Sequence, residues 1–348
     1  MVEVSVVIPS YNHEKYILEA IQSVLNQSHK DIELIVVDDG STDNSPSLLS
    51  EIKHDRLKIV FQKNQGAHAA INLGLSLANG KYLAILNSDD IYHPQRIEKA
   101  LEILQKNHQV GLVSSYLEII NAEGMHLDVK QGYYTCSPWA LDKPEKSFRS
   151  LNILKLALLT ENYLASTSNF VFPRIIYEKI GGFNPLRYTH DWDFALRVAR
   201  EAEIHLIKQP LLKYRVHERN TIREDKTTMI FEICWTLAVN LPSFFINQSL
   251  WVSNFDFHPI EVFINSLYTF GCGDILSVML LQRLHENRTY ALGLLNPQNP
   301  DRLVYLEAIR RIIDKSKKEN NEYTGNKIQN SSTNAINRFI RSITKKLI

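Results

Sequence analysis

The chain has 348 residues, enough for about two domains or one large α/β domain with an appendage, and its 44% hydrophobic and 22% charged residues exclude disorder throughout. A formal charge of +1, from 39 Lys and Arg against 38 Asp and Glu, argues against a dedicated nucleic-acid binder, which carries a basic excess. Three widely spaced cysteines, Cys136, Cys234 and Cys272, make neither a disulfide framework nor a cysteine-rich zinc site.

Val4 to Ile8 is a short β-branched run closed by Pro9. Tyr16, Ile17, Ala20, Ile21, Val24 and Leu25 then repeat at helical spacing, so a strand leads into an amphipathic helix. Ile32 to Val37 reads as a second strand stopped by Asp38, Asp39 and Gly40, and Ser45 is placed to cap a helix toward Ile52 with Pro46 at its first position. Leu57 to Phe61 makes a third strand, Ala67 to Ala78 a helix with Gly80 beyond its end, and Tyr82 to Leu86 a fourth strand. Pro94 opens a further helix with Ile97, Leu101 and Leu104 on one face. Strands alternating with helices in this way predict a mostly parallel sheet covered on both faces.

Gln131 to Ser150 reads as an inserted loop carrying Tyr133, Tyr134, Trp139 and Phe148. A helix near Ile153 to Leu159, a strand near Phe170 to Phe172, a Gly181-Gly182 turn, a helix from Trp192 to Arg200 and a strand from Leu211 to Val216 follow. Beyond Thr227 the pattern is helical, with Trp235, Phe244, Phe245, Trp251 and Tyr268 read as core or oligomer contacts. A polar stretch from Lys315 to Asn337 precedes a short last helix.

In an open parallel sheet, ligands sit outside the carboxyl ends of the strands. Those ends carry Ser10, Tyr11 and Asn12, then Asp38 and Asp39, then Asn64, then Asn87, Ser88, Asp89 and Asp90. The glycine-rich turn of a dinucleotide fold is missing, which disfavours hydride transfer. For an isolated aspartate pair the plain reading is a turn that bonds nearby amides. Two acidic tips around one cleft instead repel unless a cation or donors hold them, and a hard divalent ion bridging to a diphosphate meets that need. Asp191 and Asp193 are ordinary helix-start acids or, for one of them, a base that takes a proton from a hydroxyl. His217 is more often a surface or core histidine than a ligand.

Together, SVVIPSYNHEKYILEAIQSVLNQ, IELIVVDDGSTDNS, NQGAHAAINLGLSLANGKYLAILNSDDIYHP, FPRIIYEKIGGFNP, THDWDFALRV and YRVHERN resemble the family 2 glycosyltransferases in order and spacing, over roughly Val4 to Asn220. The resemblance implies a GT-A fold: one mostly parallel nucleotide-binding sheet flanked by helices, here followed by an α-helical C-terminal extension. It implies a divalent cation, Mn or Mg, as cofactor. Pro9 and Tyr11 match residues lining the base pocket, and Asp39 matches the acid that accepts a hydrogen bond from the base. Asp89 matches the metal ligand, with Asn87 or Ser88 near the ribose, and His217 falls near the metal and diphosphate. Asp191 matches the catalytic base, which implies inversion. Two positions depart from the family pattern: Asn87 stands where many relatives have Asp, and His190-Asp191 where they often have Glu-Asp.

The expected function is an inverting glycosyltransferase moving a sugar from a nucleotide-sugar donor, most naturally a UDP-sugar, to a carbohydrate or lipid-linked glycan acceptor in cell-surface polysaccharide synthesis. The alternative is a non-catalytic GT-A-fold scaffold. A nucleotidylyltransferase is set aside because its glycine-rich loop with Arg and Lys is not seen after the first strand. The expected domains are 1–222 for the transferase, 223–314 for a helical extension, and 315–348 for a polar linker with a basic amphipathic helix. In that helix Ile336, Phe339, Ile340, Ile343, Leu347 and Ile348 share spacing, while Arg338, Arg341, Lys345 and Lys346 fill other faces. It is read equally as a packing or dimer contact, which leaves a homo-oligomer open, and as a helix lying on an anionic membrane. From Arg310 onward ten basic and three acidic residues give +7, which leaves −6 for the rest. No secretory signal is seen, and Ile275 to Leu281 falls short of the ~18 to 20 residues of a membrane span. The protein is therefore expected in the cytoplasm or on the inner face of the cell membrane.

Overall fold

The computed structural model describes residues 2–132, 154–159, 162–218, 225–246 and 273–323. The chain divides into two compact units, Met1–Thr135 with Asn162–Glu218, and Cys136–Glu161 with Arg219–Ile348. The inserted loop from residue 133 onward, Trp251, Tyr268, Cys136, Cys272 and the basic C-terminal helix lie outside the described residues.

The first unit runs β1 (Val4–Ser10), α1 (Ile17–Leu25), β2 (Ile32–Asp38), α2 (Ser45–Glu51), β3 (Leu57–Phe61), α3 (Ala67–Leu77) and β4 (Tyr82–Ile85). It continues with β5 (Ile91–Tyr92), α4 (Arg96–Lys106), β6 (Val110–Ile120) and β7 (His126–Lys130). After one helical turn of the second unit, α5 (Leu154–Ala157), come a 3-10 turn at Thr167–Asn169, β8 (Val171–Pro173), α6 (Arg174–Ile180), α7 (His190–Glu201) and β9 (Glu203–Arg215). The sheet order is β3-β2-β1-β4-β8-β6-β9-β5, with β7 hanging from β6. β1 to β4 are mutually parallel. Because β8 is antiparallel to both β4 and β6, and β9 is parallel to β6, the strands β6 and β9 run with β1 to β4. All six therefore end on one edge, where the start of β8 also lies. That is the mostly parallel sheet the sequence implies, with short antiparallel strands β5, β7 and β8 added.

The burial of β1 explains its mainly apolar sequence: all seven of its residues are buried, Ser5 among them. Val4, Val6 and Ile8 share one core with Ile17, Ala20, Ile21 and Val24 of α1 and Leu101 and Leu104 of α4. Val7 faces α3, where a Cβ on Gly74 would stand 2.3 Å from a Val7 methyl, so only glycine lets the helix come this close. At the tip of β2, Gly40 has φ +74 and a Cβ there would meet the Asn64 amide nitrogen at 2.8 Å. The glycine thus permits both the turn and the close approach of the segment after β3.

Some local expectations are corrected. The N-terminus of α2 is held by Asp43, whose carboxylate accepts from the Ser45 N–H at 2.9 Å, so Ser45 is the first helical residue rather than its cap. α7 starts at His190, two residues before the expected position. The sequence reading assigns no element between the Leu104 helix and Gln131, yet the long strand β6 and its partner β7 lie there.

In the second unit, α8 (Lys226–Ile246), α9 (Gly273–Leu281), α10 (Arg288–Gly293) and α11 (Pro300–Tyr323) form its described part beyond α5. Trp235 and Phe244 are buried core residues, as expected, and the Trp235 indole donates to the Ala291 carbonyl at 2.8 Å. Arg302 lies 4.6 Å over the Phe231 ring and donates to the Leu294 and Leu295 carbonyls. α11 runs to Tyr323, so the first part of the stretch read as linker continues a helix. Among the described residues no helix is long and apolar enough to cross a membrane.

Candidate active site

The strand tips at the carboxyl edge are tied together by the polar strings that end them. Asn12, held at φ 55, a region Asn tolerates, accepts from the Thr42 N–H at 2.7 Å and donates its own N–H to Ser41 Oγ at 2.9 Å. Asp38 accepts from the Ser41 N–H and hydroxyl, which is the turn role expected for an isolated aspartate. Asp39 does something different. It is buried and reaches the segment before α3, accepting from Gln62 Nε2 at 2.6 Å, Gln65 N–H at 2.9 Å and Gly66 N–H at 2.8 Å. A carboxylate has about four acceptor positions, so these three donors leave one on Oδ2. Pro9 is buried near the end of β1, beyond the last β1–β4 pair, while the Tyr11 ring is 44% exposed.

After β4, the four residues of NSDD have separate tasks. Asn87 Nδ2 donates to Ser166 Oγ at 3.0 Å and its Oδ1 accepts from Thr167 at 2.8 Å, so the amide is engaged at both ends by the turn before β8. An amide fits there because one end must donate and the other accept. Ser88 Oγ lies 2.7 Å from His13 Nδ1. Asp90 is buried and accepts from Ser168 Oγ at 2.6 Å and the Arg215 N–H at 2.9 Å. Burial, with the charge of Asp89 beside it, pushes its carboxyl well above the usual range. Asp89 stays partly exposed, its side chain at 13%, with its Oδ2 3.1 Å from His217 Nε2. Burial alone would raise the Asp89 carboxyl, but the His217 hydrogen bond and the charges of His13 and His217 bring it below the usual range.

Arg215, at the end of β9, fixes this loop from behind. It donates to the Asp89 carbonyl at 2.8 Å and the Ala122 carbonyl at 3.0 Å, pairs with Glu19 at 2.6 Å, and lies 4.7 Å over the Tyr16 ring. Tyr16 in turn stacks on His217 at 5.3 Å. One ligand atom each from His13, Asp89 and His217 lies within 4.8 Å of the others. Two imidazoles and a carboxylate are a donor set that fits a divalent cation.

Asp191 sits in the first turn of α7 at 6% exposure and accepts from Asn162 Nδ2 at 2.9 Å and the Trp192 N–H at 2.7 Å. Burial raises its carboxyl, and His190 with those two donors offsets only part of the rise. Two residues on, Asp193 is fully buried and serves the fold, pairing with Arg197 at 3.0 Å and accepting from Asn184. Arg197 then satisfies the carbonyls of Ile180, Gly181 and Gly182. The same glycine turn is clamped to α3 by Asn72, which bonds both the N–H and the carbonyl of Phe183. α3 also carries His68, depressed by burial and by His190, and raised in part by Asp39.

Three residues of this edge carry no recognisable signal in the sequence reading. Asn162 comes from a segment without a motif, while His13 and Tyr214 stand inside matched strings but have no assigned role. Burial first, then the charges of Asp90, Asp89 and Asp191, push the Tyr214 hydroxyl up, so it stays neutral beside them.

Residues 5–181, just over half of the chain, match the profile of the family described as Glycosyl transferase family 2. An uncharacterized glycosyltransferase of Haemophilus influenzae is 35% identical over 222 residues, covering 63% of this chain and 67% of its own length. Uncharacterized glycosyltransferases of Rickettsia prowazekii and Nostoc sp. are 34% and 30% identical, each over 63% of this chain and over 65% and 66% of their own lengths. The chain thus spans just under two thirds of these last two relatives. Among solved structures, S. aureus TarS 1–349 in complex with UDP superposes with a TM-score of 0.56 at 18% identity, over 94% of this chain and 93% of that one. The complex of the same protein with UDP-GlcNAc gives 0.53 at 17% identity, over 91% and 92%. At these identities the likeness is one of fold.

Proposed function

Because the chain belongs to glycosyl transferase family 2 and has its GT-A fold, we propose that it transfers a sugar from a nucleotide-sugar donor to an acceptor hydroxyl with inversion at the anomeric carbon. The observation that carries this reading is Asp191: a buried carboxylate held by two donors on the edge that also presents Asp39 and Asp89. Asp39 has one acceptor position left for an imide N–H, which uracil offers, and Tyr11 is exposed for stacking on a base. TarS is bound to UDP and UDP-GlcNAc, which supports a UDP-sugar as the donor.

Asp191 accepts the proton of the acceptor hydroxyl as its oxygen bonds to the anomeric carbon. The bond from that carbon to the phosphate oxygen breaks, and its electron pair leaves with the diphosphate. One carboxylate suffices for direct displacement, so the configuration inverts. Asp89 and His217 would hold a divalent cation, Mn2+ or Mg2+, which supplies charge neutralisation to the leaving diphosphate. The family resemblance assigns Ser88 or Asn87 to the neighbourhood of the donor ribose, and Ser88 Oγ lies 2.7 Å from His13 Nδ1.

The acid limb of kcat/KM is expected above the usual Asp value of about 3.9, because Asp191 works ionised and burial raises its carboxyl. Asn162→Ala removes a donor to the charged form and moves that limb further up. A limb unmoved by Asn162→Ala would remove Asp191 from this role. Binding is tested by thermal shift of the full chain with UDP and Mn2+. Stabilisation is expected, and Asp39→Ala should reduce it. No shift with UDP or any other nucleoside diphosphate would overturn the donor assignment.

The acceptor is a carbohydrate or glycolipid of the cell envelope, a reading supported by the basic amphipathic sequence of Asn337 to Ile348, which suits an anionic membrane surface. Deleting Asn337 to Ile348 should move the protein from the membrane to the soluble fraction, and unchanged partitioning would sink the membrane contact.

A further inference from the structure

The motif after β4 is poor in oxygen ligands. Asn87 is engaged at both ends of its amide by Ser166 and Thr167, and Asp90 is buried against Ser168 and the Arg215 N–H. Of the two NSDD carboxylates only Asp89 is partly exposed, its side chain at 13% while Asp90 is buried. What stands beside it is nitrogen: His217 Nε2 at 3.1 Å, and the His13 ring from the turn between β1 and α1.

Both imidazoles are held in place. The His13 carbonyl closes the turn by accepting from the Tyr16 and Ile17 N–H groups, and its Nδ1 lies 2.7 Å from Ser88 Oγ. Its ring meets the His217 ring edge-on at 5.8 Å, and Tyr16 stacks on the other imidazole at 5.3 Å. Two ligand atoms each about 2.1 Å from one ion stand about 3.0 Å apart at a right angle and about 4.2 Å apart across it. The 3.1 Å pair and the 4.8 Å limit for all three atoms are close to that spacing. All three residues are partly exposed, so the set is open to solvent.

We propose that His13 is a third ligand beside Asp89 and His217, and that this two-imidazole, one-carboxylate set selects a first-row transition ion such as Mn2+ over Mg2+. Mg2+ takes oxygen ligands in a strict octahedron and gives up water reluctantly, whereas imidazole suits the transition ions. The Ser88 hydroxyl engages His13 Nδ1 and so leaves Nε2 for the ion, with the ring orientation set as outer hydrogen bonds set it around bound metals. The inference deepens the transferase reading and rests on it for what the ion does, but not for whether the ion binds.

The test is pulsed electron paramagnetic resonance of the full chain loaded with Mn2+ alone, counting coordinated imidazole nitrogens, together with Mn2+ and Mg2+ titrations. Two imidazoles are expected in the wild type and one in His13→Ala. Mn2+ affinity should fall about tenfold or more in that variant, and Mg2+ should bind the wild type at least about tenfold more weakly than Mn2+. A single imidazole in the wild-type spectrum, or Mg2+ binding as tightly as Mn2+, would overturn the proposal. The wild-type count needs no variant, so it decides the question even if His13→Ala folds poorly. Two imidazoles with no transfer activity would overturn only the transferase reading, and one imidazole with full activity only this inference.

Discussion

Asp191→Asn is expected to cut sugar transfer by about a thousandfold or more while leaving the affinity for nucleoside diphosphate within about twofold. The amide keeps the shape of the side chain but cannot take the acceptor proton. Stability should not suffer. Burial raises the Asp191 carboxyl above its unfolded value. The folded state therefore holds a proton that the unfolded chain has already lost between those values, and stability declines as pH rises through the folded value. At neutral pH the ionised group is a cost that the neutral amide removes, so the melting temperature should stay level or rise. Steady-state kinetics with UDP titration and a melting curve check all three. A variant that retains more than a tenth of wild-type transfer would take the base role away from Asp191.

Asp193→Ala, two residues along the same helix, should do the opposite. It leaves Arg197 buried without its carboxylate and the Asn184 amide without its acceptor. Removing one partner of a buried pair costs about 3 to 5 kcal/mol, which for a unit of this size lowers the melting temperature by about 10 °C. The Gly181-Gly182 turn that Arg197 holds would loosen, and donor affinity would fall with it. A melting temperature within about 2 °C of wild type would show that the pair contributes little. The two substitutions separate a carboxylate kept for chemistry from one kept for the fold.

The strands β1, β2 and β4 are legible because they are almost wholly buried and read as mainly apolar runs, broken only by Ser5 and Glu33 and followed by polar tips. β3 is only half-buried and carries Lys58 within its apolar run. The strand β6 was not legible for the converse reason. Ser114 and Ser115 interrupt its apolar pattern, yet both are buried, and their polar atoms are satisfied by the His205 carbonyl and by Asn169. Asn169 also bonds Arg96, a tertiary arrangement that no local pattern announces. In β9 the pairing of Pro210 with Tyr116 comes with register shifts, so the proline that hides the strand's first half marks an irregularity rather than an end.

The site shows the same division. Asp39, Asp89, Asp191 and His217 are visible in the sequence because they stand at positions of strings that resemble the family's. That Asp90 is engaged in the interior while Asp89 stays partly exposed depends on Arg215 and Ser168, which are far from them in sequence. His13, Asn162 and Tyr214 belong to the edge only because the sheet gathers β1, β8 and β9 there, so sequence spacing could not reveal them.

The most direct test of the transferase reading is proton NMR of the full chain incubated with a panel of nucleotide sugars and Mn2+, following both nucleoside diphosphate and the anomer of the released or transferred sugar. Release from at least one donor is expected, with the sugar first emerging in inverted configuration and with Asp191→Asn silent. No release from any donor, or a product of retained configuration, would contradict it.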